Sequence, residues 1–148
     1  VRAAEDRSRM RCLLDTCVVS ELTKPRPDPE VARWFASAEA EDLFLSAITI
    51  GEVRRGTAQL APGRRRAALT AWTDKLSRSF AGRILPVDEA VAARWAEIAA
   101  RAERSGKPKP LADGLIAATA LQHVLTLATR NVDDFEPFGV ELFNPWVE

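Results

Sequence analysis

At 148 residues the chain is long enough for one domain, and its 21 basic and 21 acidic residues cancel to zero formal charge. That balance excludes a protein that coats nucleic acid by bulk charge, and no apolar run approaches the roughly 20 residues that span a bilayer. Apolar residues make up 47% and charged residues 28%, the mixture of a soluble globular domain.

Val1 to Arg9 is charged and lacks the apolar stretch of a secretory signal. Met10 is expected to be the natural initiator, with residues 1–9 a remnant or upstream extension and residues 10–148 a single domain. Arg11 to Leu14 is short and apolar and stops at Asp15, which predicts a buried strand. A short helix follows over Thr16 to Leu22, and the proline-rich turn Lys24 to Pro29 ends it. Asp28 is placed to cap the next helix, with Pro29 in its first position. There Val31, Trp34, Phe35 and Ala38 make one apolar face.

Leu43 to Leu45 predicts a second strand, and Ser46 an N-cap for a helix over Ala47 to Leu60. After the breaker Pro62-Gly63, a helix is predicted from Arg64 to Ser79, with Leu69, Trp72 and Leu76 spaced for burial. Ile84 to Val87 gives a third strand, and Asp88 caps a helix with Val91, Trp95, Ile98, Ala99 and Ala102 on its core face. Ser105 to Pro110 is a connector that cannot continue that helix. Asp113 is read as opening a helix through Ala120. A fourth strand over Val124 to Ala128, a turn at Asn131 to Asp134 and a last strand over Val140 to Phe143 complete the chain. Strands alternating with helices predict an α/β fold with a parallel sheet.

Three acids stand out. Asp15 ends the first strand, Glu52 lies in the second turn of the helix after the second strand, and Asp113 adjoins an apolar helix. Open parallel sheets bind ligands beyond the carboxyl ends of their strands, so one crevice can collect all three acids together with a group from Asn131 to Asp134. Converging carboxylates make a hard oxygen site for Mg²⁺ or Mn²⁺, and such sites serve phosphodiester cleavage. Each acid also has a plain structural reading. Asp15 and Asp113 can cap or complement helices, and Glu52 can pair with Arg54 or Arg55. The basic run Arg64 to Arg66 suits either phosphate contacts or a solvated helix face.

Other chemistries fit less well. His123 is the only histidine and lacks a nucleophile partner for a triad. No phosphate-binding glycine loop is present. Cys17 occupies the place where phospho-aspartate enzymes carry a second Asp. Cys12 and Cys17 read as small core residues in a reducing cytoplasm rather than a disulfide or a zinc set.

Leu13 to Leu22, Leu45 to Glu52, Ala112 to Ala120 and Thr129-Arg130-Asn131 resemble PIN-domain ribonucleases. The nearest likeness is to VapC toxins of bacterial toxin–antitoxin pairs, in the FitB-like branch. Phe80 to Pro86 and Phe143 to Trp146 share it. The resemblance implies a PIN domain, a small parallel sheet flanked by helices. It implies Mg²⁺-dependent endoribonuclease cleavage, with Asp15, Glu52 and Asp113 as metal and catalytic residues and Mn²⁺ as an alternative ion. It also implies a cytoplasmic homodimer or larger complex with a cognate antitoxin, RNA as substrate, and operator DNA bound only through the antitoxin complex.

Two positions depart from the pattern. Cys17 replaces a frequent Asn, and the fourth acidic position falls at Asn131, with Asp133 or Asp134 as candidates to supply its charge. Asn131 also supports an alternative, a catalytically weak module that works through antitoxin binding and autorepression. A metal-dependent DNA nuclease is a third reading. Trp34, Phe35, Trp72, Trp95 and Trp146 are read as core residues first and interface anchors second.

Overall fold

In the computed structural model, residues 10–147 are described; residues 1–9, and with them the expectation of an N-terminal remnant, lie outside that range. The chain alternates strand and helix as β1 (Cys12–Leu14), α1 (Thr16–Leu22), α2 (Pro29–Ser37), β2 (Leu43–Ser46), α3 (Ala47–Ala58), α4 (Arg64–Ser79), β3 (Ile84–Leu85), α5 (Glu89–Arg104), α6 (Leu111–Gln122), β4 (Thr126–Ala128), α7 (Val132–Phe135) and β5 (Leu142–Phe143). Single 3₁₀ turns precede β2 and follow α7.

The five strands form one parallel sheet in the order β3-β2-β1-β4-β5. Strand β1 is central. Cys12 pairs with both Leu43 and Thr126, and Leu14 with Ala128. A strand covered on both faces must be apolar throughout, and Cys12, Leu13 and Leu14 are all buried. From β1 the chain builds outward to β2 and β3, then returns to build β4 and β5 on the other side. The strand order therefore reverses between β1 and β4, where open sheets leave a crevice.

Two apolar cores cover the sheet. One gathers Leu13, Leu127, Ile116, Ala117, Ile98, Phe135 and Phe138 with the inner faces of α5 and α6. The other gathers Leu14, Val18, Val31, Leu45 and Phe80 with α1, α2, α3 and α4. Trp34, Phe35, Trp72 and Trp146 pack half-buried on the second core and Trp95 on the first, so each aromatic contributes to a core.

Local chemistry sets most helix starts. Asp15, Asp28, Ser46 and Asp88 each accept a backbone N–H in the first turn of the following helix. Arg83 donates to the carbonyls of Ala40, Leu43 and Ser79, tying the end of α4 to the start of β2.

The structure corrects several boundaries. Helix α6 begins at Leu111, so Asp113 lies in its first turn instead of opening it. The N-cap is Pro110, which makes no side-chain cap and so leaves no local mark in the sequence. Helix α3 stops at Ala58, and β3, β4 and β5 are shorter than predicted. Val124 belongs to the turn before β4, with φ of 54° and 86% exposure. Asn131 to Asp134 runs into helix α7.

Candidate metal centre

Asp15 is the fixed point of the site. Its backbone N–H bonds the carbonyl of Ala128, which sets the residue where β1 ends beside β4 (2.9 Å). Its side chain is buried, with 5% exposure. Oδ1 accepts the Thr16 N–H at 2.8 Å. Oδ2 accepts the Thr129 hydroxyl at 2.7 Å and the Cys17 thiol at 3.3 Å. Asp15 thus does cap α1, and it also turns its second oxygen toward the β1/β4 crevice.

Burial pushes the Asp15 carboxyl above its ordinary range, and the charge of Glu52 adds to this; the three donors oppose it. Cys17 is a free thiol pushed up to about 11 by burial and the neighbouring Asp15, so it stays protonated and donates. It packs on the second core as expected, and it also reaches the site, a contact that a core reading leaves out.

Glu52 is half-buried on α3 and accepts the Thr16 hydroxyl at 2.6 Å. It does not pair with its neighbouring arginines: Arg54 bonds Asp74 across α3 and α4 at 2.8 Å. Arg64 and Arg65 are solvent-exposed at the start of α4.

Asp113 faces the same charges from α6. Burial, followed by the negative charges of Asp15, Glu52 and Asp134, pushes its carboxyl up to about 6, against the pull of Lys109. Burial first and neighbouring negative charge second raise both Asp15 and Asp113, as in a partly dry crevice of carboxylates. Hard oxygen donors of this kind fit Mg²⁺ or Mn²⁺. Among the described residues, no group of three acidic, cysteine or histidine side chains is already drawn together tightly enough to enclose an ion. Glu52 is turned onto Thr16.

The fourth corner divides among three residues. Asn131 is exposed, and its N–H donates to Thr129 Oγ1 at 3.0 Å. Asp134 is the one whose charge reaches Asp113, and it also lies 3.7 Å from Lys109. Asp133 lines a neighbouring groove with Lys107, Lys109 and Glu136. His123 caps the far end of α6.

Sequence reasoning missed the supporting hydroxyls. Thr16, Thr49 and Thr129 lie between the acids, Thr49 and Thr129 fully buried and Thr16 half-buried. Their signal is a threonine just past an apolar strand, which becomes legible only once the neighbouring strand is known.

The PIN domain family matches residues 12–138. The chain belongs to the PIN-domain family. This PIN-domain protein is 48% identical to toxin FitB of Neisseria gonorrhoeae over 138 residues, which is 90% of this chain and 97% of that one. It is 42% identical to VapC ribonuclease Y4jK of Sinorhizobium fredii, over 90% of this chain and 96% of the relative. The crystal structure of FitAcB from Neisseria gonorrhoeae superposes with a TM-score of 0.88 at 46% identity, covering 93% of this chain and 99% of the other. A structure of FitAB bound to the IR36 DNA fragment superposes equally well. No helix among the described residues is long and apolar enough to cross a membrane.

Proposed function

We propose that this PIN-domain protein is the toxin of a bacterial toxin–antitoxin pair and a metal-dependent endoribonuclease. The observation that supports this is Asp15, held by three donors at the β1/β4 switch, within reach of the charges of Glu52 and Asp113. Relatives named as a toxin and as a VapC ribonuclease, at 48% and 42% identity, support the same reading.

Asp15, Glu52 and Asp113 would hold the ion, Mg²⁺ or Mn²⁺. When bound, the ion supplies Lewis-acid polarisation of a phosphodiester and lowers the pKa of the attacking water. The chain's own residues prepare the site. Thr129, Cys17 and the Thr16 N–H fix both oxygens of Asp15. Thr16 orients Glu52 through its hydroxyl. Asp113 must give up its proton, which it does above about pH 6.

A cognate antitoxin is the partner, operator DNA is bound through the antitoxin complex, and the protein works in the cytoplasm as a homodimer or larger assembly. The solved structures of FitAcB and of FitAB bound to the IR36 DNA fragment support the antitoxin partner and the bound DNA. The test compares cleavage of total RNA by wild type and Asp15→Asn with Mg²⁺. A loss of about 100-fold or more in the variant is expected for removal of a metal-holding carboxylate. Equal rates, or cleavage that survives EDTA, overturn the reading. DNA offered in parallel separates it from a DNA nuclease.

The exposed, neutral Asn131 favours the weaker-catalyst alternative. Growth arrest on expression that disappears with Asp113→Ala decides against that alternative.

A further inference from the structure

Arg130 and Trp146 leave the sheet side by side. Arg130 lies just after β4 and Trp146 just after β5, and those strands run parallel. The Thr129 N–H bonds the Phe143 carbonyl at 2.9 Å, so the two segments stay paired beyond the strands. Both residues therefore stand at the sheet edge where Asp15 ends β1. The guanidinium carbon of Arg130 lies 5.3 Å from the centroid of the Trp146 ring.

Hydrogen bonds tie this pair to Asp15. The Arg130 N–H donates to Cys17 Sγ at 3.5 Å, and the same sulfur reaches Asp15 Oδ2 at 3.3 Å. Thr129, the preceding residue, donates to that same oxygen. The ring is fixed as well. The Trp146 N–H bonds Asn144 Oδ1 at 2.9 Å, Pro145 beside it is buried, and the indole packs half-buried on the second core.

The donors that Arg130 leaves unused give it a role. Arg33 and Arg54 spend their N–H groups on carboxylates, and Arg83 spends its own on three carbonyls. Arg130 is exposed, and among the described residues its guanidinium has neither an ion pair nor a hydrogen bond. Stacking on an indole occupies the face of the guanidinium and leaves its edge of N–H donors open. An open fork of this kind grips a phosphodiester. The acids of the crevice repel a polyanion, and a fixed cation at the rim offsets that repulsion.

We propose that Arg130, laid across Trp146, grips the RNA backbone on the β4 side of Asp15 without help from a bound ion. The identity of the substrate rests on the ribonuclease reading above. Trp146 is the positioning residue that holds the fork at the rim. Arg11 supplies a matched control. It too is exposed and lies over a ring, 5.1 Å from the Phe44 centroid, but it precedes β1 and so stands at the opposite sheet edge.

The experiment is fluorescence anisotropy of a labelled single-stranded RNA with the full chain in EDTA, over a series of salt concentrations. Arg130→Gln is expected to bind on the order of tenfold more weakly than wild type, the loss of a charged hydrogen-bonding pair. Its plot of log affinity against log salt should be shallower by about 0.7, the slope of one phosphate contact on a single strand. Arg130→Lys should keep the wild-type slope with part of the affinity lost. Trp146→Leu should also keep the slope while binding weakens, because the charge remains and its placement does not. Arg11→Gln should bind like wild type, and Arg130→Gln should melt within a few degrees of it. Wild-type affinity and slope in Arg130→Gln, an equal loss in Arg11→Gln, or a loss that comes with unfolding overturns the role of Arg130 and leaves the ribonuclease reading standing. A wild type that does not bind overturns the ion-independent grip, and the ribonuclease reading then rests on the cleavage test alone.

Discussion

The hydroxyl of Thr129 donates to Asp15 Oδ2 and accepts the Asn131 N–H, so one buried group joins the end of β1 to the segment after β4. Thr129→Val keeps the shape and removes the donor. The buried Asp15 oxygen then loses its shortest side-chain bond, at a cost of about 1–3 kcal/mol by urea unfolding. RNA cleavage should fall roughly tenfold, since a 1.4 kcal/mol loss in orientation is a factor of ten. Asp113 gives a pH signature. Its folded pKa of about 6 is raised above the ordinary 3.8. Between those values the folded chain holds more protons than the unfolded one, so this carboxyl's contribution to stability is complete below pH 4 and is lost as pH rises through 6. In metal-free buffer Asp113→Asn should therefore melt above the wild type at pH 7.5 and match it near pH 4. Mn²⁺ affinity of the wild type should drop as pH falls below about 6, because binding requires the ionised form. A pH-independent melting difference would refute the assignment of this carboxyl.

Helices α5 and α6 meet at Gly114. A Cβ built there would lie 2.8 Å from Cδ1 and Nε1 of Trp95, closer than packed atoms tolerate. Gly114→Ala must displace the Trp95 ring or part α6 from α5, and is expected to cost about 1–3 kcal/mol. Because Asp113 is the preceding residue, cleavage should fall with stability, and adding Trp95→Leu should restore both. A Gly114→Ala protein with wild-type melting and activity would show that the contact is loose. The elements that were legible in the sequence share a local cause. Asp28, Ser46 and Asp88 announce their helices through side chains that bond within the next turn. What was not legible depends on distant partners. Pro110 starts α6 without a side-chain cap, and Val124 reads as strand by composition yet takes a left-handed turn between α6 and β4. The strands β3 and β5 end where their neighbours end, which no local pattern records.

The site follows the same division at the scale of the molecule. Asp15, Glu52 and Asp113 were legible as acids beside apolar segments. Thr129 was not, because a threonine after a strand looks ordinary until the sheet places it beside a carboxylate. If the acids hold an ion only in the folded chain, ligand binding must stabilise the whole domain. Mn²⁺ at 100 times its Kd should add about 2.7 kcal/mol. For a domain of this size that is a rise in Tm of several degrees, at roughly 2–4 °C per kcal/mol. Asp15→Asn should show no such rise by differential scanning fluorimetry, and an equal rise in the variant would place the ion elsewhere.

The bond between Thr129 and Asp15 spans 114 residues. A ribosome making this chain releases Asp15 and Glu52 well before β4, and the crevice has only one wall until Thr126 to Ala128 emerges and pairs with β1. The nascent protein therefore has no assembled centre until β4 has been made. The strand order thus delays any activity of the candidate centre until β4 has emerged from the ribosome.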